Sequence, residues 1–277
     1  MKLKLHNPNR MIRLGCVIIA LIVFASIFSD RLSSHDPFIG ESIKRLLSPS
    51  PEHLLGTDQQ GRDVFPRVLY GGRWTLTASF ITMVLTLILG MLMGILSGYF
   101  SGSWLDILIL RVIDCLMGFP FMILAMIISG LFGRELTHLL MAVLMVKWIP
   151  FARLTRSIVL RSKNEVRVLA AKVSGCSSWK IIIKESVPEI WSPAFALATF
   201  ELGELILSIS ALSFFGLGAK PPTPEWGAML ADSKAYFFQT PYLVVGPSLF
   251  IFMTVLGLNF IGEGLRDRLT PYEILKI

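Results

Sequence analysis

Charged side chains are scarce in this chain. Only 16% of its 277 residues are Asp, Glu, Lys or Arg, whereas a soluble domain carries about 25%. Hydrophobic residues make up 53% of the chain, and the mean hydropathy is +0.66. A soluble globule needs a charged shell that this composition cannot supply, so it predicts a protein that crosses a membrane several times. The 19 Phe and 6 Trp exclude a disordered chain.

Cysteine is also rare, and no Cys-x-x-Cys pair or Cys/His cluster occurs. This excludes a disulfide framework and a structural zinc site. The histidines are scattered without the spacing of a ligand set, so we expect no metal site. The three cysteines are Cys16, Cys115 and Cys176, and the four histidines are His6, His35, His53 and His138.

Two catalytic signatures are missing as well. No Gly-x-x-x-x-Gly-Lys-Ser/Thr phosphate loop occurs, so we expect no nucleotide cofactor and no ATP hydrolysis by this chain. No Gly-x-Ser-x-Gly motif occurs either, which argues against a serine hydrolase. The sequence therefore predicts a chain that is not an enzyme and that needs no cofactor.

Long apolar stretches are what the sequence has instead. A helix that spans a bilayer needs about 20 mainly apolar residues, and six stretches approach or exceed that length. They predict an all-α protein, because a helix satisfies its own backbone groups in lipid. Phe119-Pro120 predicts a kink in the third span, and Lys147 interrupts the fourth. The predicted spans are residues 12–29, 75–97, 107–131, 136–153, 193–216 and 243–262.

The net charge of +7 is unevenly distributed. Residues 1–13 carry four basic and no acidic side chains, and loop 153–190 carries eight basic against three acidic ones. Because basic loops stay in the cytoplasm, we expect both termini to be cytoplasmic. The positive excess is then a sign of orientation, and nucleic acid is not expected as a partner.

Loop 153–190 predicts two short helices with a break between them. Residues 166–172 favour a helix, residues 174–178 interrupt it, and Ser177 or Ser178 begins the second helix. Trp179 and three isoleucines place apolar groups on that second helix, and Pro188 closes the unit. Two interpretations stay open: the helices fit a groove in a partner protein, or they lie on the lipid surface.

Four charges lie inside the predicted spans. Arg111 and Asp114 are three residues apart and share a helix face, so we expect an ion pair that ties their helix to a neighbour. Glu201 and Glu204 have the same spacing. They either line a pathway for a cationic substrate or bond to polar groups of neighbouring helices.

Two polar segments precede the second span and follow the fifth. Arg62 and Asp63 lie in the first of them, and Pro222, Glu225 and Trp226 in the second. Each segment has two interpretations. It contacts an external protein, or it is a structural element, a helix cap in the first case and a rigid proline-rich turn in the second.

Four segments carry a resemblance to a known family. Ala170-Ala171, Gly175 and Pro188 have the spacing of the "EAA" loop of ATP-binding-cassette importer permeases, although Leu169 and Glu185 depart from it. The other three segments resemble dipeptide, oligopeptide and nickel permeases, in particular the second, C-type subunit. They are "HLLGTDQQGRDVFPRVLYGGRWTL" (53–76), "LSFFGLGAKPPTPEWGAML" (212–230) and "NFIGEGLRDRLTP" (259–271).

The resemblance implies a type I importer permease fold with a cytoplasmic coupling helix. Such a chain forms half of a pathway in the cytoplasmic membrane of a prokaryote. It implies four kinds of partner: a homologous second permease, two ATPases, an extracytoplasmic binding protein and membrane lipid. The implied divisions are residues 1–73 (tail, first span and external segment), 74–263 (permease) and 264–277 (cytoplasmic tail).

The resemblance also assigns the candidate site and the substrate classes. The expected ATPase-coupling residues are Ala170, Ala171, Gly175, Ser177, Ser178, Trp179 and Pro188. Nickel, a metal chelate, a dipeptide and an oligopeptide all fit as substrates, and the length of the chain favours the nickel and metallophore members. The rival hypotheses are an unrelated small solute, a secondary transporter or an assembly subunit. The long basic loop argues against the secondary transporter, and the assembly subunit stays open.

Overall fold

The computed structural model describes residues 7–33, 35–133, 135–163 and 165–269. Within these residues the chain folds into helices, and no strand forms beyond one isolated bridge between Thr57 and Asp63. The α-helices are α1 (Pro8–Ile27), α2 (Ser29–Leu32), α3 (Val64–Tyr99), α4 (Trp104–Met117), α5 (Phe121–Phe132), α6 (Leu136–Lys147), α7 (Ile149–Ser162), α8 (Val166–Val173), α9 (Ser178–Ile181), α10 (Val187–Leu212), α11 (Trp226–Ser233) and α12 (Tyr242–Leu269).

Five helical segments of the described chain are long and apolar enough to cross a membrane. They are α1, α3, α6 with α7, α10 with the π-helical turn that follows it, and α12. Helices α4 and α5, which meet at an angle of 95°, together make a sixth candidate span. The all-α fold is confirmed, with five candidate spans in the described chain, or six when this bent pair counts as one. The kink expected at Phe119-Pro120 is a sharp bend.

The helices extend beyond the apolar stretches that predicted the spans, and the span boundaries themselves stay a prediction. The second span begins at Val64, the fourth continues to Ser162, the fifth begins at Val187 and the sixth ends at Leu269. Loop 153–190 therefore loses its first ten residues to α7 and its last four to α10. The divisions after residues 73 and 263 both fall inside helices.

The early start of α3 has a local cause. The Asp63 carboxylate accepts a hydrogen bond from the Phe65 amide at 3.0 Å and caps the helix. Val64 to Leu69 are thus the first turns of α3. Val64 and Val68 are buried against Leu243 of α12, so tertiary packing extends the helix beyond the apolar stretch.

Glycines allow α3 and α7 to pack closely. A Cβ at Gly90 would lie 2.5 Å from the Trp148 carbonyl oxygen, and one at Gly94 would lie 2.5 Å from the Ala152 carbonyl oxygen. Gly98 continues the same row one turn later. Small residues at every fourth position let helices in a membrane approach through their backbones.

Consecutive crossings alternate in direction, which gives the bundle two ends. The α8 end carries α8, α9, the start of α1 and the end of α12. The α11 end carries α11 and the segment between α2 and α3. Between them, the largest buried apolar cluster includes Met83 of α3, Leu139 of α6, Phe151 of α7 and Ile209 of α10.

Candidate functional site

The α8 end presents a short helix, a tight turn and a second short helix. Gly175 follows α8 with a φ of 76°, a left-handed conformation that favours glycine. The Cys176 amide donates a hydrogen bond to the Ala171 carbonyl oxygen at 3.0 Å. This six-to-one bond around a left-handed residue is the Schellman ending of a helix. Gly175 therefore fixes the angle at which the chain leaves α8.

This α8–α9 unit is held to the spans from its inner side. The Ser162 and Ser186 hydroxyls, one at the end of α7 and one just before α10, lie 3.0 Å apart and are buried. Arg167 of α8 forms an ion pair with Glu189 of α10. Val168 is only 2% exposed. The loop is thus attached to both spans that it connects.

The outer side of the α8–α9 unit is open. Val166 is 82% exposed and Val173 is 89% exposed, although both are apolar. A Cβ added at Gly175 would meet nothing within 4 Å. An exposed apolar surface on a fixed backbone is the property of a docking element.

The structure places the predicted coupling residues on this unit, except Pro188, which lies in the first turn of α10. Ala170, Gly175, Ser177 and Pro188 are exposed, and Ala171 is half-buried. Ser178 and Trp179 begin α9, but their side chains lie outside what the structure describes.

Lys147 of α6 forms an ion pair with Glu204 of α10. At 1.5 Å per residue, Lys147 lies about 17 Å from Leu136, and Glu204 lies about 20 Å from Leu217. Both positions are near the middle of their candidate spans, Leu136–Ser162 and Val187–Leu217. The Lys147 Nζ also lies 4.8 Å from the centroid of the Phe121 ring, a cation–π contact.

The two partners of this pair differ in exposure. The Lys147 side chain is 10% exposed, whereas that of Glu204 is 62% exposed. Glu201, one turn before Glu204, is half-buried. A carboxylate so exposed on a membrane-crossing helix is costly against lipid, so its open side points to a second protein surface or to water.

Arg111 and Asp114 are placed differently from the expectation. Both are exposed on α4, and among the described residues the structure shows no ion pair between them or with another helix. The ion pair that would tie α4 to a neighbouring helix stays a prediction.

A buried ionic cluster that the sequence did not indicate lies near the α8 end. Asp106 of α4 accepts hydrogen bonds from Arg156 of α7 at 2.9 Å, from Ser97 of α3 at 2.5 Å and from the Gly102 amide at 3.0 Å. Arg156 had been counted as a loop residue. The charge of Asp106 at the edge of the third stretch was the available signal, but its partner is 50 residues away.

Most of the residues considered for contact with an external protein are internal, which favours the structural interpretation of both segments. Arg62 and Glu225 are 1% exposed, Asp63 is 6% exposed and Trp226 is fully buried. Only Pro222 of this set is exposed.

These buried side chains instead join the α11 end together. Arg62 donates to Asp58 at 2.7 Å, and the Trp226 indole donates to the Val68 carbonyl oxygen at 2.8 Å. Glu225 accepts hydrogen bonds from the Gly227 and Ala228 amides, both at 2.9 Å, and so caps α11. Burial raises the pKa of the Glu225 carboxyl above its ordinary value, although these amides favour the charged form.

The histidines correct another expectation. His35 and His53 are 18 residues apart in the sequence, yet the structure brings both to Asp63. Folding of the segment between α2 and α3 creates this grouping, which spacing alone did not show.

The comparisons with known proteins agree with this arrangement. Residues 73–272 match the family model described as binding-protein-dependent transport system inner membrane component. This chain belongs to that family. It is a permease of the dipeptide and nickel type of ATP-binding-cassette importer, a membrane component with several crossings.

Curated permeases match over nearly the whole chain. The dipeptide transport system permease protein DppC of Alkalihalophilus pseudofirmus is 39% identical over 96% of this chain and 87% of its own length. The nickel transport system permease protein NikC of Escherichia coli is 34% identical over 95% of both. The glutathione transport system permease protein GsiD of Shigella flexneri is 38% identical over 95% of this chain and 87% of its own.

The permease also resembles a solved transporter. An inward-facing structure of the MetNI methionine transporter matches with a TM-score of 0.54 and 18% identity. The match covers 71% of this chain and 93% of that chain. At this identity the similarity supports the fold alone.

Proposed function

We propose that this permease forms one half of the pathway of an ATP-driven importer. A homologous permease forms the other half, two separate ATPases supply the energy, and an extracytoplasmic binding protein delivers the substrate. The permease unit comprises residues 74–263, to which α1 adds a further span by packing on α12. The observation that carries the proposal is the fixed α8–α9 unit with its open apolar face.

The α8 end is the cytoplasmic end in this proposal, so both termini are cytoplasmic. Arg153, Arg156 and Arg161 belong to α7 rather than to a loop, but they still lie on its last three turns. Basic residues next to a membrane-crossing segment favour the cytoplasmic side. The α8–α9 unit is therefore on the side where ATP is available.

Glu201 and Glu204 are proposed to face the pathway. Glu204 is open to the outside of this single chain although it lies near mid-membrane, and Lys147 neutralises it only on one side. Assembly with a second permease would place that open side at the boundary between the two halves, where water and substrate pass.

The proposed cargo is a small peptide or a nickel ion or chelate. The names of the relatives give dipeptide, nickel and glutathione as cargo for those systems. The carboxylates of Glu201 and Glu204 suit a cationic amine or a metal complex. Uptake of labelled nickel and labelled dipeptide by a deletion strain, with and without this gene, tests the choice directly.

The coupling role is tested at Gly175. In the purified complex, Gly175→Leu places a side chain on the open face and strains a backbone with positive φ. We expect the permeases to insert and the ATPases to be lost during purification, with substrate-stimulated ATP hydrolysis lost as well.

Gly216→Leu is the matched control. Gly216 has a φ of 83° and nothing within 4 Å of an added Cβ, but it lies at the α11 end. Leucine at this position strains the backbone to a similar extent, because its φ is also positive. The variant should leave the ATPases bound. If Gly175→Leu retains the ATPases and their coupled hydrolysis, the docking assignment is wrong.

A further inference from the structure

Two imidazoles converge on one carboxylate oxygen at the α11 end. The Nδ1 atoms of His35 and His53 each lie 3.0 Å from Oδ2 of Asp63. The side chains of His53 and Asp63 are 6% and 5% exposed, and that of His35 is 37% exposed. The three potential ligand atoms all lie within 4.8 Å of one another.

These separations are close to those around a metal ion. With bonds of about 2.0–2.1 Å in a tetrahedral zinc site, neighbouring ligand atoms are about 3.3 Å apart. The two distances of 3.0 Å need only a small expansion to admit an ion. Two imidazoles and one carboxylate leave a fourth position for water.

The second ring nitrogen of His53 provides an independent observation. His53 Nε2 is buried and has no hydrogen-bond partner among the described residues. If Nδ1 carries the proton and donates it to Asp63, Nε2 is a buried acceptor without a donor, which is costly.

A metal on Nδ1 reverses these roles. Nε2 then carries the proton, and the carboxylate of Glu52, whose Oε1 lies 3.9 Å away, is the acceptor beside it. Ligating histidines usually donate their other N–H in this way.

Two of the three groups are already fixed in place. The His53 carbonyl oxygen accepts hydrogen bonds from the Ser50 and Gly56 amides, both at 2.9 Å. The other oxygen of Asp63 caps α3 at the Phe65 amide. His35 borders a pocket of about 230 Å³ that also contains Ser29 and Asp36. This space gives an ion and its water access to the site.

We propose that His35, His53 and Asp63 bind a divalent transition-metal ion of the zinc or nickel class. Imidazole nitrogens suit both ions. The ion would link the segment that follows α2 to the first turn of α3. The site lies outside the membrane-crossing helices and stands whatever the importer carries.

Zinc retention by the purified complex tests the proposal. The complex is stripped with a chelator, loaded with Zn²⁺ alone and desalted, and its zinc is measured by mass spectrometry. We expect His35→Gln and His53→Gln each to lose one zinc per permease chain relative to the unaltered complex. His35→Gln leaves the cap on α3 intact, so its loss is not a folding defect.

His138→Gln is the matched control, because His138 is also half-buried at the α11 end but has no such partners. It should retain the full zinc content. Co²⁺ in place of Zn²⁺ should give the visible absorption of a tetrahedral site in the control and not in His35→Gln.

Glu52→Gln should weaken zinc binding by roughly 10–100-fold, as expected for an outer partner of a ligand. Equal zinc in the unaltered complex and in His35→Gln would overturn the proposal, as would loss of the same zinc in His138→Gln. Neither result depends on ATPase docking, so failure here is distinct from failure of the importer assignment.

Discussion

Lys147 and Glu204 place opposite charges near the middle of the membrane-crossing helices, where each makes the other tolerable. Asp106 and Arg156 neutralise each other near the α8 end, where the Arg156 guanidinium donates two hydrogen bonds to the Asp106 carboxylate. Each pair joins helices that are distant in the sequence. Charged side chains inside the bundle are therefore structural ties as well as candidates for transport.

The charges of the two carboxylates of α10 can be removed without changing the size of their side chains. Replacing Glu201 and Glu204 together by Gln keeps their size and removes their charge. We expect uptake to fall by about 10-fold or more, equivalent to roughly 1.4 kcal/mol, because a cationic cargo loses its partners and Lys147 loses its counter-ion. Labelled uptake by cells with equal amounts of inserted permease measures the effect.

Glu135→Gln is the control, since Glu135 forms an exposed ion pair with Lys220 at 3.4 Å outside the spans. It should leave uptake unchanged. Normal uptake by the double variant would remove Glu201 and Glu204 from the pathway.

Helices α3 and α7 show how an element is specified by its contact with another. The glycine row of α3 brings the two backbones together, and Asp106 of α4 closes the same block through Ser97 and Arg156. Close packing joins α3 to α7, and the hydrogen bonds of Asp106 join α4 to both of them. They form a unit that a change in one member disturbs.

A substitution at Gly94 tests the close contact between α3 and α7. The Cβ of Gly94→Ala would lie 2.5 Å from the Ala152 carbonyl oxygen, so a backbone must move. We expect the free energy of unfolding to fall by about 1–3 kcal/mol, which is typical of overpacking. The effect is measured as a lower midpoint of thermal unfolding in detergent.

Gly130→Ala in α5 is the comparison, because nothing lies within 4 Å of its added Cβ. Because alanine has a higher helix propensity than glycine, this change should leave the free energy of unfolding unchanged or raise it by up to about 1 kcal/mol. Equal midpoints for the two variants would show that the α3–α7 contact is looser than described.

The positions of the spans were predictable, but their ends were not. Apolar length locates a crossing, because the bilayer requires it. Arg153 and Arg156 seemed to end the fourth span, yet α7 continues because Asp106 neutralises Arg156. Likewise Arg67 lies in the first turns of α3, where it donates to the carbonyl oxygen of Pro37 at 2.8 Å.

The candidate site was predictable only in part, because some of its contacts join residues that are distant in the sequence. Gly175 and its neighbours could be located because the coupling motif is continuous in the sequence. Lys147 and Glu204, or His35 and His53, meet only after folding, and a single sequence does not show which distant partners a charge has.

The whole molecule has two dissimilar ends. The α8 end has basic helix termini and the small α8–α9 unit. The α11 end has a large, well-bonded segment before α3 that includes His53 and Asp63, and α11 with the buried Trp226 packs beside it. Such asymmetry suits a protein whose partners differ on the two sides of the membrane.

Labelling of introduced cysteines tests this arrangement in cells. With Cys16, Cys115 and Cys176 replaced by Ser, we expect Phe238→Cys to react with a membrane-impermeant maleimide in intact cells. In cells that express the permease without its ATPases, Val173→Cys should react only after the cells are opened. Phe238 is 97% exposed at the α11 end and Val173 is 89% exposed at the α8 end, so accessibility alone does not distinguish them. The reverse pattern would place both termini outside.

The attachment of the α8–α9 unit to two spans has a mechanical consequence. From Ser162 the chain runs along α7 and α6 to Lys147, and from Ser186 it runs along α10 to Glu204. At 1.5 Å per residue the two helical arms are about 23 Å and about 27 Å long. The unit and the two charges are thus joined by helical arms of similar length, so a movement that splays the arms also separates Lys147 from Glu204.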